Sequence, residues 1–140
     1  MPARAILDTN VLISALISPR GTPARLLVAA EKGSYALIVS DRLLGEMEDV
    51  LRREKFRRYV TPRNVTDYLL RLRLASTRAT EGEVVPFSPD AKDDYLFALA
   101  LASGADFLVS GDGHLLEMPP VLAPVPVLTP SEFEATLQDR

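Results

Sequence analysis

Asp8, Asp94 and Asp112 stand where a carboxylate can do more than face solvent. Asp8 ends the apolar triplet AIL and precedes a second apolar run in ILDTNVLISAL, and Asp112 follows FLVSG. Both sit where a strand should stop, and open α/β sheets bind ligands beyond the carboxyl ends of their strands. Asp94 opens the run DYLFALALAS, with Asp93 beside it. That helix is apolar nearly all round, so it belongs in the core and carries its first turn inward. The plainer role of each aspartate is a helix cap or a turn. A negative charge at a helix start contributes ~0.3–1 kcal/mol, which accounts for one of Asp93 and Asp94 but not for both. Two adjacent carboxylates repel, and a nearby cation relieves them.

A fourth acid comes from SDRLLGEMEDVLRR. At about 100° per residue, Leu43, Leu44, Met47, Val50 and Leu51 share one face. Glu46 and Glu48 flank the two edges of that face, and Asp49 points away; the wheel does not choose between the glutamates. Gly45 before Glu46 leaves room for a ligand near the backbone. An all-oxygen donor set suits Mg²⁺ or Mn²⁺. One or two such ions can activate a water and steady a leaving oxygen in phosphodiester hydrolysis. The chain has no cysteine and a single histidine, His114, which excludes thiolate sites, disulfides and multi-histidine zinc centres.

The elements that must position these acids alternate. Strands are expected at 5–7, 35–40 and within 105–113, where a Gly–Asp–Gly turn follows, with a proline-marked edge strand at 124–128. Helices are expected near 10–17, 22–32, 40–53, 62–76 and 93–103. A last helix starts with Thr129 as cap, Pro130 as first residue and Glu132 as third. The stretches 54–61 and 77–89 carry weaker patterns, the second with room for a short strand and a loop. This alternation predicts an α/β fold with a mostly parallel sheet of about four or five strands. The 140 residues suit a single domain spanning 1–140. Helices 40–53 and 62–76 read as an arm beside the sheet rather than as another βαβ unit.

That arm, around 40–78, is basic. Between Arg52 and Arg78 nine basic residues face two acidic ones, so the segment carries +7; the net charge of −3 then leaves −10 for the remainder. An acidic protein with one basic arm can hold a cation and still attract a polyanion such as RNA. Arg52, Arg53, Lys55, Arg57 and Arg58 are the candidate phosphate contacts, set against a plain solvated face. No apolar run reaches membrane-spanning length, and MPARAILD shows no signal-peptide pattern. Both fit a cytoplasmic protein that does not engage membranes.

The order D-T-N-V-L, a helix glutamate after the second strand, D-D-Y-L-F-A-L-A with A-S-G-A-D, then F-L-V-S-G-D resembles the PIN-domain family over essentially the whole chain. More narrowly it is similar to prokaryotic PIN proteins described as toxin components of toxin–antitoxin pairs. The resemblance implies a three-layer α/β/α sandwich and a metal-dependent endoribonuclease using one or two Mg²⁺ or Mn²⁺ ions. It carries the catalytic and metal-binding role to Asp8, Glu46, Asp94 and Asp112, with Asp93 as a further metal candidate. Thr9, Asn10 and Ser110 fall in supporting polar positions. Close relatives often carry another acid two residues beyond Asp112, where this chain has His114. The resemblance also implies a small antitoxin partner and a homodimer or higher homo-oligomer.

Two other classes compete. Phosphoryl transfer through an aspartyl phosphate on Asp8 resembles haloacid-dehalogenase-type phosphatases, which carry a second aspartate where this chain has Asn10. Alternatively, the acids are caps and turns in a non-catalytic module that binds RNA or protein.

Overall fold

A computed structural model describes residues 2–82, 93–119 and 123–139. Five strands form one sheet: β1 (Arg4–Leu7), β2 (Ala36–Val39), β3 (Ser76–Arg78), β4 (Phe107–Val109) and β5 (Val127–Leu128). Their order is β3-β2-β1-β4-β5, and every neighbouring pair is parallel. Ala5 pairs with Leu37 on one side and with Phe107 on the other. β1 is thus the central strand, and Ile6 and Leu7 are fully buried, as a strand covered on both faces requires.

The helices described are α1 (Thr9–Ile17), α2 (Thr22–Glu31), α3 (Asp41–Leu51), α4 (Pro62–Ala75), α5 (Asp94–Ser103), α6 (Gly113–Leu116) and α7 (Pro130–Gln138), with a short 3₁₀ turn at Glu54–Phe56. α1 packs on α2 and α3, α4 joins α2 and α3, and α7 lies against α2. The chain steps from β1 to β2 to β3, then reverses past β1 to β4. Right-handed crossovers therefore send α1–α4 to one face and α5 to the other. The result is the expected three-layer α/β/α architecture.

Local chemistry sets the helix ends. Thr61 and Thr129 each form a capping box, with Asn64 and with Glu132, and Pro62 and Pro130 occupy the first turns. Gly104 ends α5 in the left-handed region at φ 68°, a conformation glycine adopts without Cβ strain. Buried tyrosines satisfy their hydroxyls on backbone: Tyr35 donates to the Leu26 carbonyl at 2.8 Å and Tyr68 to that of Leu12 at 2.6 Å. Phe133 brings α7 onto the core edge-to-face with Tyr35, their ring centroids 4.9 Å apart.

Two expectations need correction. α3 and α4 do form a helical arm, but α4 runs directly into β3, which pairs in parallel with β2. The arm is therefore also a crossover, since parallel neighbours cannot be joined by a tight turn. β3 is the polar triplet Ser-Thr-Arg, with Thr77 and Arg78 exposed, whose sequence carries no apolar strand pattern. The Gly–Asp–Gly turn after β4 also continues into the short helix α6. Most of the stretch 77–89 lies outside the described residues.

Candidate active site

All five strands point the same way, so their carboxyl ends share one edge. The chain reverses its order between β1 and β4, and a crevice opens at such a switch point. Asp8 follows β1 there. Its Oδ1 accepts the Val11 amide at 2.9 Å, so it caps α1, as its plainer reading required. Its Oδ2 accepts the Ser110 hydroxyl at 2.5 Å. Asp8 is 6% exposed and Ser110 is 0% exposed. Burial pushes the Asp8 carboxyl above its ordinary range; hydrogen bonds from Ser110 and Val11 oppose the shift, and the Asp112 charge adds to it. Burying a carboxylate costs several kcal/mol, about what two or three charge-assisted hydrogen bonds return, and here desolvation wins. A cation at this place would reverse that balance.

Ser110 also ties Asp8 to the next strand end. Its Oγ accepts the Asp112 amide at 2.9 Å. Asp112 caps α6 by accepting the His114 amide at 2.9 Å. The His114 side chain is exposed. Asn10 supports Asp8 through its backbone N–H.

Glu46 reaches the same edge from α3. Its Oε2 accepts the Tyr95 hydroxyl at 2.6 Å and lies 3.5 Å from the Thr9 hydroxyl. Thr9 is next to Asp8 and Tyr95 is next to Asp94, so the chain itself links these acids. Glu48 instead pairs with Arg52 at 2.8 Å. Tertiary contact thus separates the two glutamates that the helical wheel left equivalent. Asp94 opens α5 and is 5% exposed. Asp93 takes the cap position without a side-chain capping bond.

The sequence reading passed over two neighbours of Glu46. Tyr95 looked like one more apolar residue of α5, although D-D-Y puts a hydroxyl directly after the acids. Arg42 lies four residues before Glu46, and its guanidinium sits 4.2 Å from the Tyr95 ring centroid. The Tyr95 hydroxyl is pushed well above its ordinary pKa by burial, then by Glu46, so it stays a donor.

Among the described residues, no three acidic or histidine side chains gather closely enough to enclose an ion. Mg²⁺ rarely requires such a cage, since it keeps several waters and takes one or two carboxylates plus substrate phosphates. The all-oxygen donors and the electrostatic coupling of Asp8 with Asp112 fit a hard cation held in that open manner.

The basic arm divides into two groups. Arg52 and Arg53 pair with Glu48 and Asp49 at 2.8 and 3.7 Å, and Arg52 also donates to Thr66. Lys55, Arg57 and Arg58 form no ion pair among the described residues. Lys55 lies near the Phe56 ring, at 5.2 Å from its centroid.

The sequence profile described as PIN domain matches residues 4–114. No curated protein matches this chain. Among solved structures, the crystal structure of PAE2754 from Pyrobaculum aerophilum superposes with a TM-score of 0.69 at 14% identity, covering 99% of this chain and 91% of that one. That likeness is one of fold.

Proposed function

This chain belongs to the PIN-domain family, whose members are usually nucleases and commonly use divalent metal ions, and we propose that it is an endoribonuclease dependent on Mg²⁺ or Mn²⁺. The observation that carries the reading is Ser110 joining Asp8 to Asp112 at the switch point. Asp8, Glu46, Asp94 and Asp112 would hold the ion directly or through water, with Asp93 at the margin. When bound, one or two ions supply Lewis-acid polarisation of the phosphoryl group and acidify a water.

The chain's own residues do the rest. Ser110 fixes the Asp8 carboxylate, and Tyr95 and Thr9 fix Glu46. Burial disfavours the charged form of Asp8, and a bound cation would favour it. In the arm, Lys55, Arg57 and Arg58 hold the RNA backbone, whereas Arg52 is engaged by Glu48 and Thr66 and Arg53 by Asp49.

Cleavage of a single-stranded RNA tests the reading in four arms: wild type with Mn²⁺, wild type with chelator, and Asp8→Asn and Asp94→Asn with Mn²⁺. Cleavage in the first arm alone is expected. Equal cleavage in all four sinks metal-dependent hydrolysis.

From the resemblance of its motifs to prokaryotic PIN toxins alone, we propose further a cytoplasmic toxin held by a small antitoxin protein, acting as a homodimer or higher homo-oligomer. Induced expression that leaves growth unchanged counts against the toxin role, and light scattering that gives a mass of 15.4 kDa counts against the oligomer.

A further inference from the structure

Arg42 and Glu46 lie one turn apart on α3, and both meet the same side chain of α5. Glu46 takes the hydroxyl of Tyr95, and the Arg42 guanidinium covers its ring at 4.2 Å from the centroid. Tyr95 is only 1% exposed, so the core fixes the platform, whereas Arg42 is exposed. The nearby acids have other partners: Asp41 faces Arg78 at 3.4 Å, and Glu48 takes Arg52. Among the described residues Arg42 forms no ion pair and donates no hydrogen bond. A guanidinium lying over a ring spends no hydrogen bond on it, so its N–H groups stay available, spaced to meet two oxygens of a phosphate.

The location gives that geometry a purpose. The strand-end acids alone repel a polyanion. Arg42 belongs to the first turn of α3, on the strand-end edge. Arg52 is ten residues further along, about 15 Å at 1.5 Å per residue. The arm thus serves phosphates farther along the strand, and Arg42 serves one at the acids.

We propose that Arg42, held over the Tyr95 ring, is a phosphodiester-binding residue that seats a nucleic-acid phosphate oxygen beside the Asp8–Glu46–Asp112 edge. This rests on the nuclease reading only in taking RNA as the ligand. Arg42 is the contacting group, and Tyr95 is a positioning residue for both Arg42 and Glu46.

The test measures binding of a single-stranded oligoribonucleotide in chelator, as log K against log salt concentration. Each phosphate contact on a single strand adds about 0.7 to the slope. Arg42→Ala is expected to flatten the slope by that amount and weaken binding, while still melting cooperatively with at most the small loss of one cation–π contact. Arg42→Lys keeps the slope. Tyr95→Phe retains the ring and hence the wild-type slope, while cleavage with Mn²⁺ falls because Glu46 loses its donor. A wild-type slope in Arg42→Ala overturns the proposal, as does an absence of RNA binding by the wild type. If Arg42→Ala flattens the slope but the wild type never cleaves, the nuclease reading fails and this one stands. If the wild type cleaves and Arg42→Ala binds normally, the reverse holds.

Discussion

The Ser110 hydroxyl donates to Asp8 Oδ2 at 2.5 Å while accepting the Asp112 amide at 2.9 Å, so one buried oxygen joins the ends of β1 and β4. Ser110→Ala removes a donor from a buried carboxylate and an acceptor from a backbone N–H. Such a loss costs about 1–3 kcal/mol. Urea unfolding of the metal-free protein is expected to show that decrease with an unchanged m-value. A decrease under about 0.5 kcal/mol, the ordinary scatter of inert substitutions, means that the bond does not hold the site together.

Asp8 also gives metal binding a stability signature. Its carboxylate is disfavoured chiefly by desolvation, and a cation compensates only the charged form. At free Mn²⁺ a hundredfold above the dissociation constant, the wild type gains about 2.7 kcal/mol. Asp8→Asn is expected to lose most of that gain. Without metal it keeps an amide oxygen for the Val11 N–H and sheds the buried charge, but its NH2 can no longer accept the Ser110 hydroxyl, so its stability changes by no more than the roughly 1–3 kcal/mol of that bond. Thermal melts with Mn²⁺ and with chelator measure both effects. Equal Mn²⁺ gains in wild type and Asp8→Asn remove Asp8 from the metal site.

Acid sensitivity arises partly away from the site. Glu31 meets Arg71 at 2.7 Å, and that hydrogen bond holds the Glu31 carboxyl below its usual 4.5 despite an opposing desolvation. The folded state favours the charged form. The contribution is therefore fully present above about pH 4.5 and is lost as pH falls through the lower folded value. Both side chains are substantially solvated, so the pair stabilises by at most about 1 kcal/mol. Glu31→Gln is expected to lower stability by that much at pH 7, with the gap to wild type closing below pH 4.5. A gap that is constant down to pH 3.5 rules out the ion pair as its cause.

These residues show which parts of the molecule the sequence could express. Thr129, Pro130 and Glu132 announced α7 because a capping box is local. The strand-end aspartates were legible because an acid interrupting β-branched runs has few places to go. β3 showed only as room for a short strand in 77–89, because it is an edge triplet held to β2 by backbone, and polar side chains carry no pattern there. Glu46 and Glu48 are equivalent on a helical wheel; Tyr95, 49 residues away, and Thr9 single out Glu46, while Arg52 takes Glu48. Arg42 was lost within a helix whose apolar stripe drew the attention. Its role depends on a ring from α5, and pairings across the sheet have no sequence period to betray them.

The arm yields the last prediction, because its cations are unequal. Arg52 is engaged with Glu48, the Pro62 carbonyl and Thr66, at 2.8, 3.4 and 3.0 Å, and it ties the end of α3 to the start of α4. Moving it onto a phosphate sacrifices those contacts. Lys55, Arg57 and Arg58 give up no ion pair among the described residues. Replacing all three by Gln should therefore flatten the salt dependence of RNA binding by about 2, at roughly 0.7 per contact, with no change in melting temperature. Arg52→Gln should do the opposite, leaving the slope intact and lowering stability by up to about 1 kcal/mol. Titrations at several salt concentrations, paired with melts, distinguish the two. A triple variant with the wild-type slope would return these cations to the plain role of a solvated surface.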